Sequence, residues 1–174
     1  REVDGVEKKI VVIPNMNDQS LWQYPKAELN KDKYVIGYAG SNSHKDDLFM
    51  VLPQIIEVMK KYPQVHLEIM GAISRDDLDS YFKEMPQEFR NRIDMIGSTE
   101  TYGEYPQWLC EQKWNVGICP LVDTAFTRCK SHIKFMEYTS AGKPVIASRV
   151  YPYITDIDGR KVITDGETGI LCKQ

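Results

Sequence analysis

No apolar run in this sequence approaches the ~20 residues needed to cross a bilayer, and no signal-peptide pattern is present. A membrane span is therefore not expected, and a cytoplasmic location is. Charge of one sign is also lacking. The 22 Lys and Arg nearly balance the 25 Asp and Glu, for a net charge of −3. No polyanion-binding surface is implied over the whole chain, which argues against nucleic acid as a partner. Only four cysteines occur (Cys110, Cys119, Cys129 and Cys172), without paired metal-ligand spacing, so reduced thiols are expected. With three histidines, no Ser-His-Asp or Cys-His arrangement can be assembled. No Gly-x-Gly-x-x-Gly follows a strand and no phosphate-loop motif occurs, so NAD and ATP readings lose support. Repeats and low-complexity stretches are absent too.

What is present is an ordinary globular composition, 42% hydrophobic and 27% charged over 174 residues, enough for one domain with a full core. Residues 1–9 are charged and begin without Met, as in an excised piece of a longer chain. Residues 10–13 read as a short β-branched strand closed by Pro14-Asn15, and 16–33 as a polar linker. From residue 34 strands and helices alternate. Strands are expected at 34–39, 65–70, 93–96, 116–119 and 145–147. Leu48, Val51, Leu52, Ile55, Ile56 and Met59 share one helical face, with Pro53 expected to interrupt that helix. Further helices are expected over 75–85 and 105–113. Residues 161–164 and 169–172 read as strands flanking the turn 165–168. Trp22, Trp108 and Trp114 read as packing residues rather than a sugar platform, His66 as structural, and Asp46-Asp47 as suggesting either a metal site or a helix start. The expected fold is α/β: a Rossmann-like parallel sheet with helices on both faces. Gly40, Gly71 and Gly97 end strands where such sheets bind ligands.

Residues 115–149 carry the chemistry. Val116–Cys119 is stopped by Pro120, a polar loop follows, and Ser131 is placed to cap a helix that ends at Gly142 before Pro144. Arg128, Lys130, His132 and Lys134 crowd that helix start, with Asp123 the one acid nearby. Cations at a helix N-terminus cost about 0.3–1 kcal/mol each, and a bound anion relieves the conflict. The alternative is that these side chains point into water. His44, in the loop 40–45, can donate to a phosphate or sugar, or be incidental. Glu137 stands three residues beyond Lys134. It can accept both hydroxyls of a ribose, or form an exposed helical pair with Lys134.

Phe126, Lys130-Ser131, Ile133-Lys134, Glu137-Tyr138 and the run from Gly142 to Ser148 resemble the donor-site motif of group 1 glycosyltransferases of the GT-B fold. Asp165 to Leu171 is similar to that family's following turn, Ile13-Pro14-Asn15 to the strand between its lobes, and residues 34–45 to the opening of its donor lobe. The resemblance implies that residues 1–33 are an inter-lobe strand and linker. Residues 34–174 would then be a nucleotide-sugar-binding lobe moving a hexosyl group from a nucleoside diphosphate sugar to an acceptor. It assigns the ribose to Glu137 and the diphosphate to Lys134 and the amides of Ser131, His132 and Ile133. Lys130, Gly40, Ser41, His44, Lys45 and Gly97 complete the implied site. No cofactor or required metal is implied, the nucleotide sugar being substrate, and the glycan or other acceptor would bind a second lobe. Two positions depart from the pattern. Cys129 stands where many members have a glutamate, and His44-Lys45 where many have an arginine and a lysine. A binding module without catalysis and a sugar-nucleotide epimerase of the same shape are the alternatives. Without a second lobe the chain is expected to bind nucleotide weakly and transfer no sugar.

Overall fold

A computed structural model describes residues 2–3, 6–7, 11–81 and 86–173. Two short strands, β1 (Glu2–Val3) and β2 (Val6–Glu7), pair antiparallel. The remaining strands are β3 (Tyr34–Gly40), β4 (Val65–Gly71), β5 (Ile93–Ile96), β6 (Val116–Cys119), β7 (Val145–Ser148) and β8 (Ile170–Cys172). They form one six-stranded sheet in the order β5-β4-β3-β6-β7-β8, every neighbouring pair parallel. The winding reverses between β3 and β6, and ligands of such sheets bind beyond the strand ends at that point.

Two cores cover the two faces. Alternation along β3 sends Val35 and Ala39 to one and Tyr38 and Ile36 to the other. The second core receives Leu48, Leu52, Ile55, Ile56 and Met59 of α1 (Lys45–Lys61), with Leu78 of α2 (Arg75–Tyr81) and Phe89 of α3 (Gln87–Arg90). The first receives Tyr105 and Leu109 of α4 (Tyr105–Glu111) and Tyr138 of α5 (Ile133–Ser140). Trp22 and Trp114 are buried in it, and Trp108 packs against it.

Two aromatic rings fix how α5 sits. Gly37 of β3 and Gly117 of β6 are register partners. A Cβ on Gly37 would lie 1.7 Å from the Trp114 ring, and one on Gly117 would lie 2.3 Å from the Tyr138 ring. The two rings meet edge to face with centroids 5.8 Å apart. The paired glycines thus make a flat floor on which the aromatic pair lies, a close approach that any side chain would prevent. The Ala39 N–H donates to the buried Tyr138 hydroxyl at 2.8 Å, which pins α5 to the end of β3.

Several expectations are corrected. Pro53 does not interrupt α1, which runs unbroken through it. Proline deprives the Phe49 carbonyl, four residues back, of its helical donor. The Tyr81 hydroxyl donates to that carbonyl at 3.3 Å, and the Tyr81 ring stacks on Phe49. Ser131 does not cap α5: His132 occupies that position without a side-chain capping bond, and the Ser131 hydroxyl accepts from Asn15 Nδ2 at 2.7 Å. Residues 161–164 form no strand, only a bridge from Lys161 to Thr155. β8 pairs parallel to β7 rather than closing a hairpin, because Arg149 N–H and β7 claim its backbone. Val11, Val12 and Ile13 are exposed and form no strand, and Ile10 lies outside the described residues. The helix expected over 75–85 is described as Arg75–Tyr81, residues 82–85 lying outside the description.

The segment before β3 straps α5. Asn17 Nδ2 donates to the Ser140 hydroxyl at 2.9 Å, Asn17 Oδ1 accepts from Trp22 Nε1 at 2.6 Å, and Lys26 donates to the Ser140 carbonyl. Elsewhere, Asp77 accepts from Lys45 and from Ser74, and these bonds hold its carboxyl down at about 2. A depressed carboxyl stabilises above the ordinary carboxylate range, and the contribution is lost as pH falls toward 2. Asp77→Asn should therefore lower Tm slightly near about pH 6, and the difference should close in acid; a pH-independent difference would refute this linkage.

Candidate active site

Two clefts open at the strand ends and share His44, Lys134 and Glu137. The first, about 680 Å³, runs along residues 128–134 at the start of α5, with Val12 to Asn15 on one side and residues 151–153 on the other. The second, about 940 Å³, runs from residues 39–44 past Gly71 to Ser98, Thr99, Glu100, Thr101 and Tyr102.

Each shared residue is placed by the fold. Tyr138 locks α5, so Lys134, one turn earlier, reaches the Ala39 carbonyl and stands over the Tyr38 ring, 4.6 Å from its centroid. Burial pushes the Lys134 ammonium down, opposed by Cys119, Glu137 and Asp47. Glu137 is half-buried and accepts from the Tyr102 hydroxyl at 3.2 Å. Burial pushes its carboxyl up, opposed by Lys134 and by that hydrogen bond. The exposed helical pair weighed from spacing does not form, since Lys134 turns to a backbone carbonyl and Glu137 to Tyr102. A cation and a carboxylate both shifted toward neutrality in one cleft mark a functional-site candidate.

The other expected residues divide. Lys130, Ser131, His132 and Ile133 line the first cleft, and Gly40 and Ser41 the second. Lys130 stands over the Phe126 ring, 5.3 Å from its centroid. Burial pushes the His132 imidazole down, with Asp156 opposing. Lys45 turns away to Asp77 and lines neither cleft. Gly97 is exposed and also lies outside both, although the three residues after it form a wall. Arg128 reaches the first cleft but is held by Asp123 through two bonds of 2.7 and 2.8 Å, so its charge is largely neutralised. Cys129, exposed, lines the same cleft, and its thiol donates to the Ala125 carbonyl at 3.4 Å.

Asp47, Tyr102 and the 151–153 segment were not legible as site residues. Asp47 looks like a helix-start acid, and only its hydrogen bonds distinguish it. A polar, Thr-rich stretch after a strand, 98–102, was the available signal for Tyr102. Among the described residues, no three His, Cys, Asp or Glu side chains converge as metal ligands, and no helix is long and apolar enough to cross a membrane.

This lobe, with its winding reversal beneath a helix start flanked by lysines, is the architecture of one half of a GT-B fold. The family model for group 1 glycosyl transferases matches residues 33–174, and the chain belongs to that family. Among solved structures it is similar to the C-terminal domain of a group 1 glycosyl transferase, LpcC, from Francisella tularensis. That pair has TM-score 0.53 and 23% identity, and the match covers 92% of this chain and 76% of the other. It is also similar to TarM (TM-score 0.57, 16% identity, 87% and 27% covered). A third is the pneumococcal O-GlcNAc transferase GtfA in complex with UDP and GlcNAc (TM-score 0.52, 15% identity, 82% and 27% covered). The chain thus spans about a quarter of the length of those last two proteins. No curated protein matches it.

Proposed function

We propose that this chain is the donor-binding lobe of an enzyme that moves a hexosyl group from a nucleoside diphosphate sugar to a glycan or other acceptor. The carrying observation is the position of Glu137. It stands where the two clefts join, one turn along α5 from Lys134, with its carboxylate steered by Tyr102. A ribose placed there puts its diol on Glu137 and its diphosphate at the start of α5, beside Lys130 and Lys134. These cations and the helix start already border the cleft, where they can stabilise charge developing on the leaving diphosphate. The nucleotide sugar is the substrate in this scheme, no metal is invoked, and the acceptor is held by a second lobe. Residues 1–33 connect the lobes and 34–174 hold the donor.

A reading as a binding module without turnover has one observation in its favour, the thiol of Cys129 in place of a carboxylate at the first cleft. Transfer by the protein carrying both lobes separates the two. The shared binding claim is tested on this chain by calorimetry. Nucleoside diphosphates should bind at least about tenfold more tightly than the free nucleosides, because charge-assisted hydrogen bonds contribute ~1.5–3 kcal/mol. Added salt should reduce that advantage. Equal affinity for both would remove the anion site.

A further inference from the structure

Tyr102 stands in the loop between β5 and α4, on the wall of the second cleft. Its backbone and its ring are both held. Glu104 Oε2 accepts the Glu100 N–H at 3.1 Å and the Thr101 N–H at 3.3 Å, and the Tyr105 N–H donates to the Tyr102 carbonyl at 3.2 Å. The Tyr102 ring stacks on Tyr105 with centroids 6.0 Å apart. Tyr105 is buried, stacked in turn on Trp108 and edge to face with Trp22. The ring is thus braced against the core while its hydroxyl reaches Glu137 Oε1 at 3.2 Å.

What the phenol does to the carboxylate follows from its chemistry. Lys134, one turn earlier on α5, donates to the Ala39 carbonyl rather than to Glu137. Among the described residues, no group other than Tyr102 donates a hydrogen bond to Glu137. A phenol supplies one proton, so Oε2 and a second lone pair of Oε1 stay unfilled, matching the two donors of a vicinal diol. The phenol is also neutral. Arg128 largely cancels the charge of Asp123, whereas Tyr102 orients Glu137 and leaves its full charge to strengthen a further bond. Burial and the neighbouring Glu137 push the Tyr102 hydroxyl up, so it keeps the proton it donates.

We propose that Tyr102 is a positioning residue: its hydroxyl orients the Glu137 carboxylate toward a vicinal diol and so sets the preference of this site for a ribose over a 2′-deoxyribose. The inference rests on the function proposed above, in which Glu137 meets the ribose. The charged and titratable groups facing Glu137 are Lys134 on its own helix, Tyr102 and Tyr105 from the α4 side, and Cys119 of β6. Burial pushes the Glu137 carboxyl up, and Lys134 and the Tyr102 bond oppose it. Without that bond, burial is less opposed. Glu137 then takes up its proton at a higher pH, and a protonated carboxyl accepts from a diol less strongly.

Calorimetry on the full chain with ADP, GDP and UDP, each against its 2′-deoxy counterpart, tests this. Within a pair the diphosphates are identical, so the affinity ratio isolates the ribose and cancels phosphate titration. For whichever base binds, the parent should favour the ribo form by at least about tenfold near about pH 7.5. Tyr102→Phe keeps the ring on Tyr105 and should cut that ratio by about three- to tenfold, with pyrophosphate affinity unchanged. On titration from about pH 8 to 5, its ratio should collapse toward unity at a higher pH than the parent's. In a Glu137→Gln background, adding Tyr102→Phe should change the ratio by less than about twofold, because the hydroxyl acts through the carboxylate. A parent ratio near unity, or no binding, removes the ribose reading and this inference with it. A large parent ratio that survives Tyr102→Phe overturns the inference and leaves the donor lobe standing. A loss that recurs undiminished in the Glu137→Gln background also overturns it, since the hydroxyl would not then act through Glu137.

Discussion

Gly37→Ala is expected to destabilise the chain by ~3 kcal/mol or more, at or above the upper end of the cost of overpacking. The added methyl would sit 1.7 Å from a Trp114 ring that is itself 1% exposed, held by Glu68 at 2.9 Å and packed against Trp108 and Tyr138. The ring cannot retreat without disturbing Tyr138, and Tyr138 is what pins α5 to β3. Donor binding should therefore weaken with stability, although Gly37 lines neither cleft. Gly97→Ala is the control. Nothing lies within 4 Å of its Cβ, and Tm should hardly change. Equal Tm values for the two variants, by calorimetric melting, would show that the glycine floor does not govern the seating of α5.

Glu137→Gln should weaken ribonucleoside diphosphates by ten- to a hundredfold, the loss of ~1.5–3 kcal/mol of charge-assisted acceptance, while inorganic pyrophosphate binds as before. Lys134→Met, which keeps the buried stem, should weaken both. Burial pushes the Glu137 carboxyl up, so ionisation is costly in the free chain and the stability it removes returns as the group protonates toward acid. Glu137→Gln should accordingly melt no lower than the parent at neutral pH. A structural carboxylate would behave in the opposite way, with Tm falling and ribonucleotide affinity unchanged. Titration calorimetry with ADP, UDP, GDP and pyrophosphate, alongside thermal melts, separates these outcomes.

β3, β6 and β7 were legible as short, largely apolar runs and β4 and β5 as apolar residues alternating with polar ones, each with Gly or Pro at or beside one end. Their alternation with helices is enough to require a parallel sheet. The motif around Lys130, Lys134 and Glu137 was legible because its residue types and spacing set a helix start beside cations. The short α3, by contrast, has four residues, too few for helical periodicity to show. Pro53 reads as a break in any local analysis, and only Tyr81, 28 positions later, supplies the donor that lets α1 continue.

The partners of the site residues were decided in the same non-local way. Arg128 and Lys130 are equivalent cations in the sequence. The folded chain joins Arg128 to Asp123 and brings Lys130 to His44, 86 positions distant. Asp46 and Asp47 are indistinguishable as helix-start acids, yet only Asp47 is buried, bonded to His44 and Val122. What the sequence by itself determined is the order of elements, the parallel sheet and the helix that presents Glu137, because these follow from local pattern and chain connectivity. Which cations remain available to an anion, which acid orients His44 and which glycines are floor rather than site were decided by the tertiary structure. Hydrogen bonds and close packing between distant segments have no signature in local periodicity.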